Sequence, residues 1–307
     1  MKQINREGLP PDYLWVRNHL YENNPFIFIQ NTFFMKRILF VCAGDAFPKG
    51  AFAFLQSLQQ QEPVSVTGLF FCPMDYEAMA AVSQVPIPGP YLRLKEKDKN
   101  KLDENKALFA RECEKHYIKH QIHSNEEEWY KDILAKESRF SDLMLLSGEL
   151  FYANLDTDQP NSLLQEALHV AECPVMIVPE DYVPFRHVAV AYDGTKESLY
   201  AIKQFCYLLP QYTDLPTEFI YAKNENSKEI PDIDLLKSYS RLHFSSMNFS
   251  KLQFKAANYF ATWIGEKQQV LMVCGSFGRS SFSYVTKRSF AEEVIHDHKM
   301  PVFIAHR

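Results

Sequence analysis

The sequence predicts an α/β protein made of two copies of one doubly wound unit, each a five-stranded, mainly parallel sheet flanked by helices. Three observations carry this. Short apolar runs of strand length alternate with segments whose apolar residues recur at helical spacing. Residues 143–178 and 270–305 align without a gap at a constant offset of 127. In that alignment Gly148 falls on Gly275, Ser162 on Ser289, Glu166 on Glu293, His169 on His296, and Pro174-Val175 on Pro301-Val302. At the front, Arg37-Ile38-Leu39-Phe40-Val41 resembles His187-Val188-Ala189-Val190-Ala191 at a larger offset, so the first copy carries about twenty extra residues in its middle. The Pro-rich and charged stretch 72–105 is the place for them.

In the first copy the segments 37–43, 64–71, 117–123, 142–147 and 174–178 read as strands. The intervening segments 50–60, 97–116, 127–137 and 162–171 read as helices. Pro86-Ile87-Pro88-Gly89-Pro90 reads as a rigid loop. Asp181–Arg186, which contains Pro184, is the expected linker, so the units span 35–180 and 186–307. In the second copy strands are expected at 187–192, 219–222, 249–256, 270–274 and 301–305. Its helices are the segment carrying Leu199, Ile202, Phe205, Cys206 and Leu209, then 234–246, 257–267 and 289–298.

Residues 1–34 stand outside the repeat, and Met35 runs straight into the first strand. A mis-assigned start, a loose arm and a packing helix built on Tyr13, Trp15, Val16 and Leu20 are all compatible with them.

Composition narrows the function classes. A chain of 307 residues with 46% apolar and 23% charged residues has the makeup of two soluble globular domains rather than a disordered chain. Its net charge of −5 gives no reason to expect nucleic-acid binding. The six cysteines form no C-x-x-C pair and mostly sit in apolar runs, which reads as buried free thiols of a reducing compartment. The most apolar stretch, Pro25 to Cys42, is interrupted by Gln30, Asn31, Lys36 and Arg37, too soon to span a bilayer. No leader pattern is present, and a cytoplasmic protein without a membrane partner is expected.

Ligands of open α/β sheets bind beyond the carboxyl ends of the strands. Two segments of the second copy reach that edge: Asp193-Gly194-Thr195 after its first strand, and Gly275-x-x-Gly278 after its fourth. Glycines let a backbone approach phosphate oxygens closely, and Ser289 opens the following helix, where N–H groups and a hydroxyl can meet an anion. A purely structural reading stands beside this. Ser289-Phe290-Ala291-Glu292 and Ser162-Leu163-Leu164-Gln165 are both capping boxes, and Asp193 can cap the next helix or close a turn with Gly194.

Other chemistry is poorly supported. Gly44 to Gly50 has five intervening residues and Ala51 where a P-loop needs lysine. Asp193-Gly194-Thr195 has Ala191 where a phosphoaspartyl nucleophile would stand. His296 and His298 do not share a helix face, so no metal is expected. No nucleophile, base and orienting group come together in the sequence.

Several of these pieces match one family. Val188–Thr195, the Gly275-x-x-Gly278 turn followed by nine residues and then positions 288 and 289, and the endings Glu172–Pro179 and Met300–Ile304 resemble the universal stress protein family. The resemblance covers about 35–307 and makes the chain similar to a tandem member. It implies an adenine nucleotide alpha hydrolase-like fold, with pairing of the two units through their last strands. Some members bind ATP, with magnesium, through the first-strand aspartate and the glycine motif; others bind no nucleotide.

On that basis Asp193, Gly194, Thr195, Gly275, Gly278, Arg279, Arg288 and Ser289 are the nucleotide-site residues. Arg288 stands where the family has a third glycine. Its side chain can block the phosphate, pair with it alongside Arg279 and Lys287, or simply be solvated. The first copy keeps Gly148 and Ser162 but has Phe151 and Asn161 for glycines and adds Asp156 and Asp158, so its site is expected to be lost. The function expected is a stress-response binding protein with a weakened ATP site in the second unit and no catalysis. The alternative is a nucleotide-free interaction module for a protein partner or another small ligand, and a homodimer is compatible with either.

Overall fold

In the computed structural model the described residues are 35–43, 46–71, 89–123, 130–148, 167–222, 229–252, 269–275 and 300–305. The first strand, β1 (Lys36–Ala43), is followed by α1 (Lys49–Gln61), β2 (Val64–Phe71), α2 (Gly89–Lys115), β3 (Lys119–His123), α3 (Tyr130–Arg139), β4 (Leu143–Ser147) and β5 (Val175–Val178). The second half runs β6 (His187–Ala191), α4 (Lys196–Leu208), β7 (Thr217–Ala222), α5 (Ile233–Ser240), β8 (Met247–Leu252), β9 (Val270–Cys274) and β10 (Val302–Ile304). Among the described residues these ten strands form one sheet in the order β3-β2-β1-β4-β5-β10-β9-β6-β7-β8. Residues 35–307 constitute a single unit.

Every strand pair within a half is parallel, and the halves meet where β5 and β10 pair antiparallel. The register there is Val302 with Ile177, Phe303 with Met176 and Ile304 with Val175. Met176 and Phe303 occupy equivalent positions of the two copies, so the seam is self-complementary about a local two-fold. Both lie on the same sheet face, which sets that axis normal to the sheet.

The inner strands are apolar on both faces because both faces are covered. Ile38, Phe40 and Cys42 face one core, together with Phe54 and Leu58 of α1, Phe109 of α2, Phe205 of α4 and Leu236 of α5. Leu39 and Val41 face the other, with Ile133 and Leu134 of α3 and Leu168. Both cores take residues from the two halves, so the seam interrupts neither of them.

The linker is part of the core rather than a tether. Tyr182 and Phe185 pack on Phe54 of α1 at ring-centroid distances of 5.7 and 5.6 Å, and Phe185 packs on Tyr212, beyond α4, at 5.0 Å. The Tyr182 hydroxyl lies 3.3 Å from Ser57 Oγ. Burial pushes the phenols of Tyr182 and Tyr212 upward, so both stay neutral hydrogen-bonding groups.

The element ends differ from the sequence expectation in ways with local causes. The helix expected at 97–116 starts at Gly89, since Pro90 costs little in a first turn, whose N–H groups lack helical partners. Thus Gly89 and Pro90 of the expected rigid loop belong to a helix. β3 begins at Lys119 rather than 117, because Tyr117 is left-handed (φ 55°) and the Ile118 N–H returns to the Cys113 carbonyl. α5 ends at Ser240 rather than 246, where the His243 and Phe244 N–H groups both turn back to the Ser240 carbonyl. β7 starts two residues early at Thr217, and β8 starts at Met247. Residues 167–170 of the expected helix 162–171 are helical. Segment 1–34 and the helices expected at 257–267 and 289–298 lie outside the described residues. No helix among the described residues is long and apolar enough to cross a membrane.

Two outcomes follow from this packing. Phe54→Ala removes the ring shared by α1, the linker and Tyr212, and is expected to cost about 3–5 kcal/mol of unfolding free energy in a urea titration. Burial pushes the thiols of Cys113, Cys173 and Cys206 up to about 12. In the folded protein at about pH 8 they are expected to resist a thiol-labelling reagent that reacts with them once the chain is unfolded.

Candidate functional site

The carboxyl edge of the second half is assembled from the ends of β6 and β9. β6 lies between β7 and β9, and its last residues lead into Tyr192, which is buried, and Asp193, which is exposed. The next three residues turn sharply into α4. Thr195 donates both its N–H (2.9 Å) and its hydroxyl (2.6 Å) to Asp193 Oδ1. Its hydroxyl oxygen accepts the Ser198 N–H at 3.3 Å, which makes Thr195 the N-cap of α4. Gly194 holds φ +81°, a conformation that side chains disfavour, and Pro231 lies 3.0 Å from where its Cβ would be.

Gly275, directly after β9, is pressed against the start of the same helix. A Cβ there would sit 2.8 Å from the Ser198 backbone nitrogen and 2.9 Å from the Glu197 carbonyl carbon. Only a glycine allows the strand end to approach the first turn of α4 this closely. Asp193, Gly194, Thr195 and Gly275 are therefore brought together at one edge. Gly278, Arg279, Arg288 and Ser289 lie outside the described residues.

The sequence reading missed the loop that leads into α5. The Tyr192 hydroxyl donates to the Pro231 carbonyl at 3.1 Å, and Asp232 follows in a left-handed conformation (φ 49°). Burial raises the Tyr192 phenol, helped by the carboxylates of Asp232 and Asp193. Nothing local in the sequence ties Pro231 to Gly194; the parallel pairing of β6 with β7 brings the two loops to one edge.

No protein-family model and no curated protein matches the sequence. Solved structures do match. A universal stress protein from Archaeoglobus fulgidus DSM 4304 superposes over 88% of this chain and 96% of its own, with a TM-score of 0.64 and 17% identity. A functionally unknown protein from Pseudomonas aeruginosa PAO1 matches 89% of this chain and 92% of its own, with a TM-score of 0.51 and 13% identity. The chain has the universal stress protein fold.

Within this universal stress protein fold the first half builds its carboxyl edge differently. α1 has Pro48 at its N-cap position and no side-chain hydrogen bond from it. Instead Glu180, beyond β5, accepts the Lys49 N–H at 3.0 Å through Oε2 and the Ser147 hydroxyl at 3.2 Å through Oε1. Gly50 lies directly under this chain segment: a Cβ on it would fall 1.7 Å from the Pro179 carbonyl oxygen. No sequence signal linked these groups, since Lys49 and Glu180 are 131 residues apart.

Gly275→Ala is expected to destabilise the protein by about 1–3 kcal/mol, because the new methyl meets fixed helix backbone rather than a side chain that can swing away. Chemical denaturation of the variant against wild type is the measurement.

Proposed function

We propose that the chain is a cytoplasmic stress-response binding protein of the universal stress protein type. Its second repeat holds an adenine nucleotide, ATP with magnesium, at the carboxyl edge of β6 and β9. The observation that supports this reading is the seat of Gly275 against the first turn of α4. A side chain there would fill the approach, and the glycine leaves strand-end and helix-start backbone groups side by side at a ligand-binding edge. In this reading Asp193, Gly194 and Thr195 orient the nucleoside side of the ligand. Gly275, Gly278 and Ser289 offer N–H and hydroxyl donors to phosphate, and Arg279 and Arg288 supply positive charge. Bound ATP would bring a phosphate chain for recognition. The role proposed is binding rather than turnover.

A second reading has its own support. Asp193 Oδ1 is engaged by Thr195, and Pro231 packs against Gly194. With Arg288 in place of a glycine, these features favour a nucleotide-free module that binds a protein partner or another small ligand.

Titration calorimetry with ATP and magnesium separates the two. Saturable heat is expected from wild type. Asp193→Ala and Gly278→Val are each expected to weaken binding about 10-fold or more, the loss of one charge-assisted contact or of a close phosphate approach. No heat from wild type, or heat unchanged in both variants, would reject the nucleotide reading and leave the second. Nucleotide released from purified protein by denaturation and identified by mass spectrometry is an independent check.

A further inference from the structure

Helix α2 of the first half neutralises its own charges. Lys101 pairs with Glu104, Lys106 with Asp103 and Lys115 with Glu112, each about one turn away. The outer face of α4 and α5 in the second half is built otherwise. Residues 198–208 and 235–243 contain no carboxylate, yet they carry Lys203, Lys237, Arg241 and His243. Among the described residues Lys203, Lys237 and Arg241 enter no ion pair. Two of them are held over rings instead. Lys203 Nζ lies 5.8 Å from the centroid of Tyr239, and Lys237 Nζ lies 5.8 Å from that of Phe249 on β8. His243 packs on Tyr239 at 4.6 Å and meets the Tyr207 ring at 6.2 Å. In the same two segments Tyr207, Leu235 and Leu242 are 60%, 72% and 79% exposed. Lys237 and Arg241 also suit the carboxyl end of α5, but Lys203, in the middle of α4, has no such reason to be there.

We propose that this α4–α5 face is a docking surface for an acidic, leucine-bearing segment of a partner protein. The partner's carboxylates meet Lys203, Lys237 and Arg241, and its apolar side chains cover Tyr207, Leu235 and Leu242. Charge complementarity and the state of the rings select this class of partner. Tyr239 already has Lys203 over it and His243 against it, and Phe249 is taken by Lys237 and by Phe219, stacked at 4.9 Å. These rings hold cations in place rather than offering a platform on which bases stack. Three permanent cations are also fewer than the clusters of about four to eight that hold a protein on anionic lipid. The face lies away from the carboxyl edge of the second half. Tyr207 stands twelve residues along α4 from Thr195, about 18 Å at the helical rise. Docking there is independent of whether that edge takes a nucleotide.

The test uses the full chain and a fluorescein-labelled peptide of about 18 residues, helix-forming, with leucine at i, i+4 and i+7 and glutamate on the opposite face. Anisotropy is expected to show saturable binding in the micromolar range that weakens several-fold from low to physiological salt. The double variant Lys203→Glu with Arg241→Glu, and separately Leu242→Ser, are each expected to weaken binding about 10-fold. All these side chains are at the surface, so thermal melts of both variants are expected to match wild type. Absence of saturable binding, equal binding of a peptide with lysine in place of glutamate, or unchanged affinity in either variant would overturn the proposal. So would tighter binding of a single-stranded oligonucleotide, or of phosphatidylserine vesicles, than of the peptide. Failure of the nucleotide reading is seen by ATP calorimetry and leaves these anisotropy results where they are.

Discussion

The pairing of β5 with β10 is the contact on which the rest of the architecture depends. It is short, with three residues on each strand, and every one of those side chains is buried. Three residue pairs of main-chain hydrogen bonding contribute little alone. Val175, Ile177, Val302 and Ile304 on one face, with Met176 and Phe303 on the other, make the seam the middle of two continuous cores. Its antiparallel sense then fixes the direction of every other strand, since each half is parallel throughout.

The same seam explains the aromatic packing beside it. A chain that must travel between β5 and β6 at one end of the sheet passes α1 and the turn after α4. Tyr182 and Phe185 convert that passage into buried surface. Their ring contacts, with the Ser57 hydroxyl satisfying Tyr182, leave the linker little freedom to swing away. The outer strands have a different problem, an open row of backbone groups. β3 meets it with Lys119, His120 and His123, and His123 Nδ1 lies 2.7 Å from Glu137, which also binds Arg37. Charge on an edge strand discourages pairing with another chain.

The strands and their order of appearance were legible because buried parallel strands are apolar runs of fixed length, and because Gly148, Pro174 and their counterparts repeat. Helix ends were less legible. Pro90 reads as a breaker by composition yet stands inside the first turn of α2, and Tyr117 carries no mark of its left-handed conformation. At the candidate site, Asp193, Gly194, Thr195 and Gly275 were identifiable by type and place. What the sequence left open was the partner of each. The Asp193 carboxylate turns to Thr195, the Gly275 backbone meets Glu197 and Ser198, and Pro231 covers Gly194. Glu180 was invisible altogether, because its role comes from the path of the linker and not from any pattern around it.

Two separate copies joined at a self-complementary seam would present two identical edges, facing opposite ends of the sheet. Any substitution would appear at both. A single covalent connection breaks that symmetry, because it can cross only one of them. In this chain it crosses the first, at Gly50 and Glu180. From then on the halves are free to diverge: Gly50 is constrained by the linker above it, while Gly275 is constrained by the helix beside it. Fusion therefore makes the two edges structurally distinct.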